Sequence, residues 1–260
     1  MTTTIANNKA NTLIDKPRNL GSYLAISPSL SFRERMHGFS QFIDDLHQKN
    51  QFTYHRKVVS PPGPKVTIWD YYEKTSREML MFASNNYLGF ANHPYVLKKV
   101  NRALSQYGAG IGGPPLLNGY SKLMAALEER LAHLKHQESA MIFSSGYGAN
   151  LGLINGLVQK NDVVVFDSFS HASFYDGLKQ TKAKTLPFQH NNIKDLKAKL
   201  EKASTYPEGT IYLGIEGVYS MDGDLAPLDK IIPLAKKYKA ICLLDDAHGT
   251  GVIGKSGSGT

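Results

Sequence analysis

Asp162-Val163-Val164-Val165-Phe166-Asp167, running on into Ser168-Phe169-Ser170-His171-Ala172-Ser173, decides the architecture of this chain. Four consecutive apolar residues bounded by aspartates are too short for a helix. They read as a strand covered on both faces, the habit of parallel sheets. Comparable runs lie at 140–144, 210–215 and 240–245, and helix candidates fall between them at 148–158, 193–203 and 228–238. Strand and helix in alternation predict an α/β sandwich with a largely parallel sheet.

Working outward toward the N-terminus, the spacing of Leu123, Leu127, Leu131 and Leu134 predicts a helix over 121–134. Pro94 suits the first turn of another, reaching about Tyr107. Phe39, Phe42, Ile43 and Leu46 place a helix over 32–48. The cluster Ser60-Pro61-Pro62-Gly63-Pro64 breaks structure, and strands are expected at 66–71 and 78–83. Residues 1–30 are polar and weakly patterned, and read as a mobile arm.

The 260 residues carry 30 Lys+Arg against 22 Asp+Glu, a net charge of +8. Such charge suits nucleic acid or a phosphorylated substrate. The basic residues, however, spread along helix-like stretches such as Lys194, Lys197, Lys199 and Lys202, as on solvated faces, and no nucleic-acid-binding motif is present. The single cysteine, Cys242, cannot form an internal disulfide and sits in an apolar run. Residues 1–16 have no apolar core of a signal peptide, and no apolar stretch approaches the ~20 residues of a membrane helix. A cytoplasmic protein, without membrane or nucleic-acid partners, is expected.

In sheets of this kind ligands bind beyond the carboxyl ends of the strands. Ser145-Gly146-Tyr147-Gly148-Ala149-Asn150 follows one run, and its small residues at a helix start suit a phosphate, or packing alone. His171 follows the second run, placed to stack on a planar ring, to exchange protons, or to serve structure. Glu216-Gly217-Val218-Tyr219-Ser220-Met221-Asp222-Gly223-Asp224 follows the third, with too few carboxylates for a calcium loop. Asp245, at the end of the fourth, needs a partner, because an unpaired buried charge is costly. A protonated pyridine nitrogen is one such partner; a metal held by Asp245, Asp246 and His248 is another.

Seven segments in order resemble the α-oxoamine synthases, a branch of the fold-type I enzymes that use pyridoxal 5'-phosphate (PLP). They are Ser84-Asn85-Asn86-Tyr87-Leu88-Gly89; the Gly-rich stretch ending Leu117-Asn118-Gly119-Tyr120; Leu127-Glu128; Ser144 to Asn150; Ser170-His171-Ala172-Ser173; Glu216 to Gly223; and Asp245-Asp246-Ala247-His248-Gly249-Thr250-Gly251. The resemblance covers about residues 80–260. It implies a fold-type I transferase with PLP as cofactor. Gly146 and Tyr147 would hold the phosphate through backbone N–H groups, and His171 would stack on the ring. Asp245 would pair with the pyridinium nitrogen, Ser220 and His248 would contact the phenolic-oxygen side, and Asn85 would lie near the amino-acid substrate. His171 and His248 are the residues expected to take part in catalysis. The reaction implied condenses an amino acid with an acyl-CoA to an α-amino ketone, as in 8-amino-7-oxononanoate synthase, in a homodimer.

The resemblance also implies a division into an N-terminal arm and small-domain segment, 1–75, and an incomplete large PLP-binding domain, 76–260, with no C-terminal domain. Pro115 stands where many members have Arg, and Met124 where many have His. The family's PLP-bearing lysine follows the Asp-Ala-His-Gly-Thr-Gly motif by roughly 30 residues, beyond Thr260, and Lys255 lies at the wrong spacing. The chain is therefore read as the leading portion of a synthase. A non-catalytic partner subunit and an aminotransferase of the same fold are the alternatives.

Overall fold

The computed structural model describes residues 30–260, so the expected arm at 1–30 lies almost wholly outside the described residues. The described chain forms two compact units, one ending at Ser84 and one beginning at Asn85.

The first unit opens with α1 (Phe32–Gln48), as the apolar spacing anticipates. Ser31 caps it: the Ser31 hydroxyl accepts from the Glu34 N–H, and the Glu34 carboxylate accepts from the Ser31 N–H at 2.8 Å. A three-stranded antiparallel sheet follows, β1 (Lys57–Val58), β2 (Lys65–Asp70) and β3 (Thr75–Leu80), in the order β1-β2-β3. The expected strand at 78–83 therefore starts three residues earlier. Asp70 pairs with Thr75 across a turn in which Lys74 takes φ 53°, so the turn sets the register rather than the apolar residues.

The second unit begins with a 3₁₀ turn, Phe90–Asn92, and two helices, α2 (Pro94–Tyr107) and α3 (Lys122–Leu134). Then α4 (Gly146–Leu157), β4 (Val163–Asp167), α5 (Ala172–Gln180), β5 (Lys184–Phe188), α6 (Ile193–Ala203), β6 (Ile211–Glu216), α7 (Leu228–Lys237) and β7 (Ile241–Asp245) alternate. The four strands form one all-parallel sheet in the order β5-β4-β6-β7. The expected α/β fold-type I arrangement stands.

Alternation along β4 explains its composition. Val163 and Val165 face Leu196, Leu200 and Ile231 of α6 and α7, whereas Val164 and Phe166 face Ile154, Phe174 and Leu178 of α4 and α5. All five β4 residues are buried. Each such aliphatic side chain contributes roughly 1.5–3 kcal/mol relative to exposure.

Two expectations fail. The run 140–144 joins no sheet; Met141 is 75% exposed, and the Ile142 N–H donates to the Glu128 carboxylate at 3.0 Å instead of to a strand. Conversely, β5 and α5 were not anticipated. Strand β5 contains Pro187, which an edge position tolerates. Helix α5 contains Gly177, where an added Cβ would strike Ile154, so a weak helix former stands where α4 and α5 approach closely.

Candidate active site

All the candidate residues belong to the second unit, and most gather at the carboxyl ends of its parallel strands. Gly146 and Tyr147 are the first two residues of α4, capped by Ser145, whose hydroxyl accepts from the Gly148 N–H at 3.0 Å. The space beside Gly146 is open: a Cβ there would meet nothing within 4 Å. A helix start with open ground in front of it suits an anion.

His171 is the N-cap of α5, and its Nδ1 lies 2.7 Å from the Ser173 hydroxyl. The Tyr147 ring stands edge-on to the His171 ring, with centroids 6.3 Å apart. The Tyr147 hydroxyl donates to the Asp176 carboxylate, which raises the phenol pKa.

Asp245 ends β7. Its Oδ2 accepts from Asn150 Nδ2 at 2.8 Å, and its Oδ1 accepts from the Ala247 N–H at 3.1 Å. Both donors are neutral, and among the described residues no salt bridge reaches Asp245. The same Asn150 amide reaches the Ser173 hydroxyl at 2.9 Å. Asn150 and Ser173 thus link Asp245 to the His171 ring.

Glu216 lies opposite Asp245 in the β6–β7 ladder. Its Oε1 accepts from the His171 N–H at 2.6 Å, and its carboxylate also takes the Ser220 N–H. Burial, and next the charge of Asp245, push its pKa up to about 7. Two carboxylates on adjacent strands, with no salt bridge to either among the described residues, form a site that favours a positive charge.

His248 follows in the turn after β7. Its Nδ1 lies 2.6 Å from the Tyr87 hydroxyl, and that hydroxyl donates to Asn85 Oδ1 at 3.5 Å. Asn85 and His248 therefore share a partner. Asp246 points elsewhere, to Lys135 Nζ at 2.6 Å and to the Thr250 and Thr260 hydroxyls at 2.8 and 2.6 Å. Asp245, Asp246 and His248 thus face different partners, an arrangement unlike a shared metal centre.

Asn150, Ser173, Glu216 and Tyr87 were not singled out from sequence. Each sits within two or three residues of a chosen position or at a strand end, and two of them, Ser173 and Glu216, are buried polar groups that call for partners.

Residues 77–259 match the aminotransferase class I and II family. This chain is a member of that family. Within the aminotransferase class I and II family it lies on the α-oxoamine synthase branch. It is 44% identical over 184 residues to an 8-amino-7-oxononanoate synthase of Lysinibacillus sphaericus, covering 71% of this chain and 47% of that one. Over 226 residues it is 39% identical to an 8-amino-7-oxononanoate synthase of Exiguobacterium sibiricum, covering 86% and 56%. A serine palmitoyltransferase of S. paucimobilis, solved with bound PLP-myriocin, superposes with a TM-score of 0.80 at 31% identity, covering 88% and 56%. The chain spans about half the length of these relatives. Among the described residues, no helix is long and apolar enough to cross a membrane.

Proposed function

We propose that these residues form the leading portion of a PLP-dependent acyltransferase that condenses an amino acid with an acyl-CoA to an α-amino ketone. One observation carries this reading: Asp245, held among the described residues by neutral donors and facing Glu216, stands linked to His171 through Asn150 and Ser173. That geometry suits a flat ring with a cationic nitrogen. The open start of α4 at Gly146 and Tyr147 suits the ring's phosphate.

In this reading, the Gly146 and Tyr147 N–H groups bind the phosphate, Asp245 holds a proton on the ring nitrogen, and His171 covers one ring face. Ser220 and His248 approach the phenolic oxygen, and Asn85 orients the amino acid. When bound, PLP supplies an electron sink for charge at the amino acid's α-carbon. The names of the similar synthases favour acyl transfer over transamination. A second copy of the chain is the proposed partner, since Leu116 and Leu117 are 93% and 80% exposed. A cytoplasmic setting belongs to the same reading.

Titration with PLP, followed by its absorbance, tests the site. The wild-type chain is expected to bind, with Asp245→Ala weaker by about ten- to hundredfold. Equal binding by both would overturn the role of Asp245. For the reaction, a polypeptide extended through the lysine should release CoA from an acyl-CoA only when an amino acid is present. Absence of amino-acid-dependent release across a panel of acyl-CoAs would overturn it.

A further inference from the structure

Beside the candidate site, but not part of it, lies a second polar cluster. Asp167, at the end of β4, is fully buried. His190, two residues past the end of β5, brings Nδ1 to 3.0 Å from Asp167 Oδ1 and Nε2 to 2.9 Å from Asp224 Oδ2. Both ring nitrogens thus face carboxylates, the arrangement of an imidazolium donating twice. Phe169 stacks on the imidazole, with centroids 4.2 Å apart and planes 9° from parallel, and Tyr219 meets it edge-on at 4.5 Å. Asn191 repeats the connection: its N–H donates to Asp167 Oδ2 at 3.0 Å, and its side-chain amide donates to Asp224 Oδ2 at 2.7 Å.

What this cluster joins gives it meaning. Asp224 closes the loop between β6 and α7. That loop is cinched by a Val218–Leu225 bridge and by the Tyr219 N–H to Asp224 carbonyl bond at 3.0 Å, and it carries Ser220. Phe169 belongs to the turn that carries His171, and the Phe169 N–H donates to Asp167 Oδ1 at 2.8 Å. Phe169, two residues before His171, and Tyr219, just before Ser220, thus pack on one imidazole.

We infer that His190 is a positioning residue that clamps the Ser220 loop to the end of β4, next to the His171 turn. Its ring contacts include Asp167, Asp224, Phe169 and Tyr219. Together with Glu216, whose carboxylate takes both the His171 and the Ser220 N–H, His190 helps set how far apart those two residues stand. The inference rests on the proposed PLP site only for the consequence of that spacing; the clamp itself rests on the hydrogen bonds.

Hydrogen exchange of the full chain, resolved by peptide, tests the clamp. In His190→Gln, residues 217–226 and 168–173 are expected to exchange about tenfold faster, with 193–203 in α6 unchanged. Asp224→Asn, placed in the loop rather than the sheet, should loosen 217–226 similarly even if the His190 variant folds poorly. The double variant should be less loose than the sum of the two singles, because both remove the shared His190–Asp224 link. Additive effects, unaltered loop exchange, or uniform loosening of the whole chain would each overturn the clamp. PLP titration separates the two readings. About tenfold weaker binding in His190→Gln supports transmission to the site, and equal binding in a loosened loop overturns it. If the wild-type chain binds no PLP, the proposed function fails while the exchange data still judge the clamp.

Discussion

Asn150 Nδ2 donates to Asp245 Oδ2 across 2.8 Å, tying the first turns of α4 to the last residue of β7. One amide thereby orients the carboxylate on which the proposed cofactor site turns, and through Ser173 it also fixes the His171 ring.

Asn150→Ala is expected to destabilise the chain by about 1–3 kcal/mol, because it leaves the Asp245 carboxylate and the Ser173 hydroxyl each short of a donor. Urea denaturation at pH 7 measures the loss. PLP binding should weaken together with it; full affinity in the variant would show that Asp245 needs no such support.

Glu216 governs a pH dependence. Its folded pKa, about 7, lies above its ordinary 4.5, so the folded chain favours the protonated form. Stability from this group is therefore fully present below about pH 4.5 and is lost as pH rises through 7. Glu216→Gln removes this slope and should gain about 2 kcal/mol at pH 8 relative to the wild type, allowing for solvent screening. Parallel pH profiles of melting temperature for the two proteins would refute the assignment.

Lys135, just after α3, pairs with Asp246, whose side chain is 9% exposed, and also donates to the Ser258 carbonyl at 2.6 Å. Burial pushes the Asp246 pKa up, but Lys135, Thr260 and Thr250 outweigh it and hold the carboxyl below its ordinary value. The pair therefore stabilises the fold above about pH 4, and that contribution disappears as pH falls. Lys135→Ala is expected to cost about 1–3 kcal/mol at pH 7 and progressively less as pH falls below the ordinary carboxyl range, the Ser258 bond leaving a remainder. Chemical denaturation above and below that range distinguishes this from a loss of packing, which would be the same at both.

The exposed Leu116 and Leu117 lead us to expect concentration-dependent self-association. Light scattering across a dilution series should show it, and the double variant Leu116→Ser, Leu117→Ser should shift the chain toward monomer. A wild-type chain that stays monomeric at high concentration would remove the proposed partner.

Much of this could be read from residue order alone, where burial dictates composition. Strand β4 was legible because both its faces are covered, and α6 because Leu196 and Leu200 fall on one side of a cap at Asn192. The run 140–144 misled because pairing is a property of two segments, and apolar character in one cannot supply the other. Strand β5 escaped notice because only Leu186 and Phe188 of its five residues are buried. At the site, Asp245 and His171 stand out as polar groups at strand ends. Asn150 does not, and Glu216, though it ends β6, shows nothing of its role, since their worth lies in contacts with residues 95 and 45 positions away. His190 was invisible for the same reason: a lone histidine declares nothing until Asp167 and Asp224 are brought to its two nitrogens.

Pro187 has a last consequence. Strand β5 lies on one margin of the parallel sheet and, at Pro187, lacks an amide hydrogen with which to recruit a neighbour. The opposite margin, β7, carries no proline. The two margins of this sheet are therefore unequal as pairing edges. Of the two margins, the one beside Asp245 is the one that keeps every amide hydrogen for a further strand.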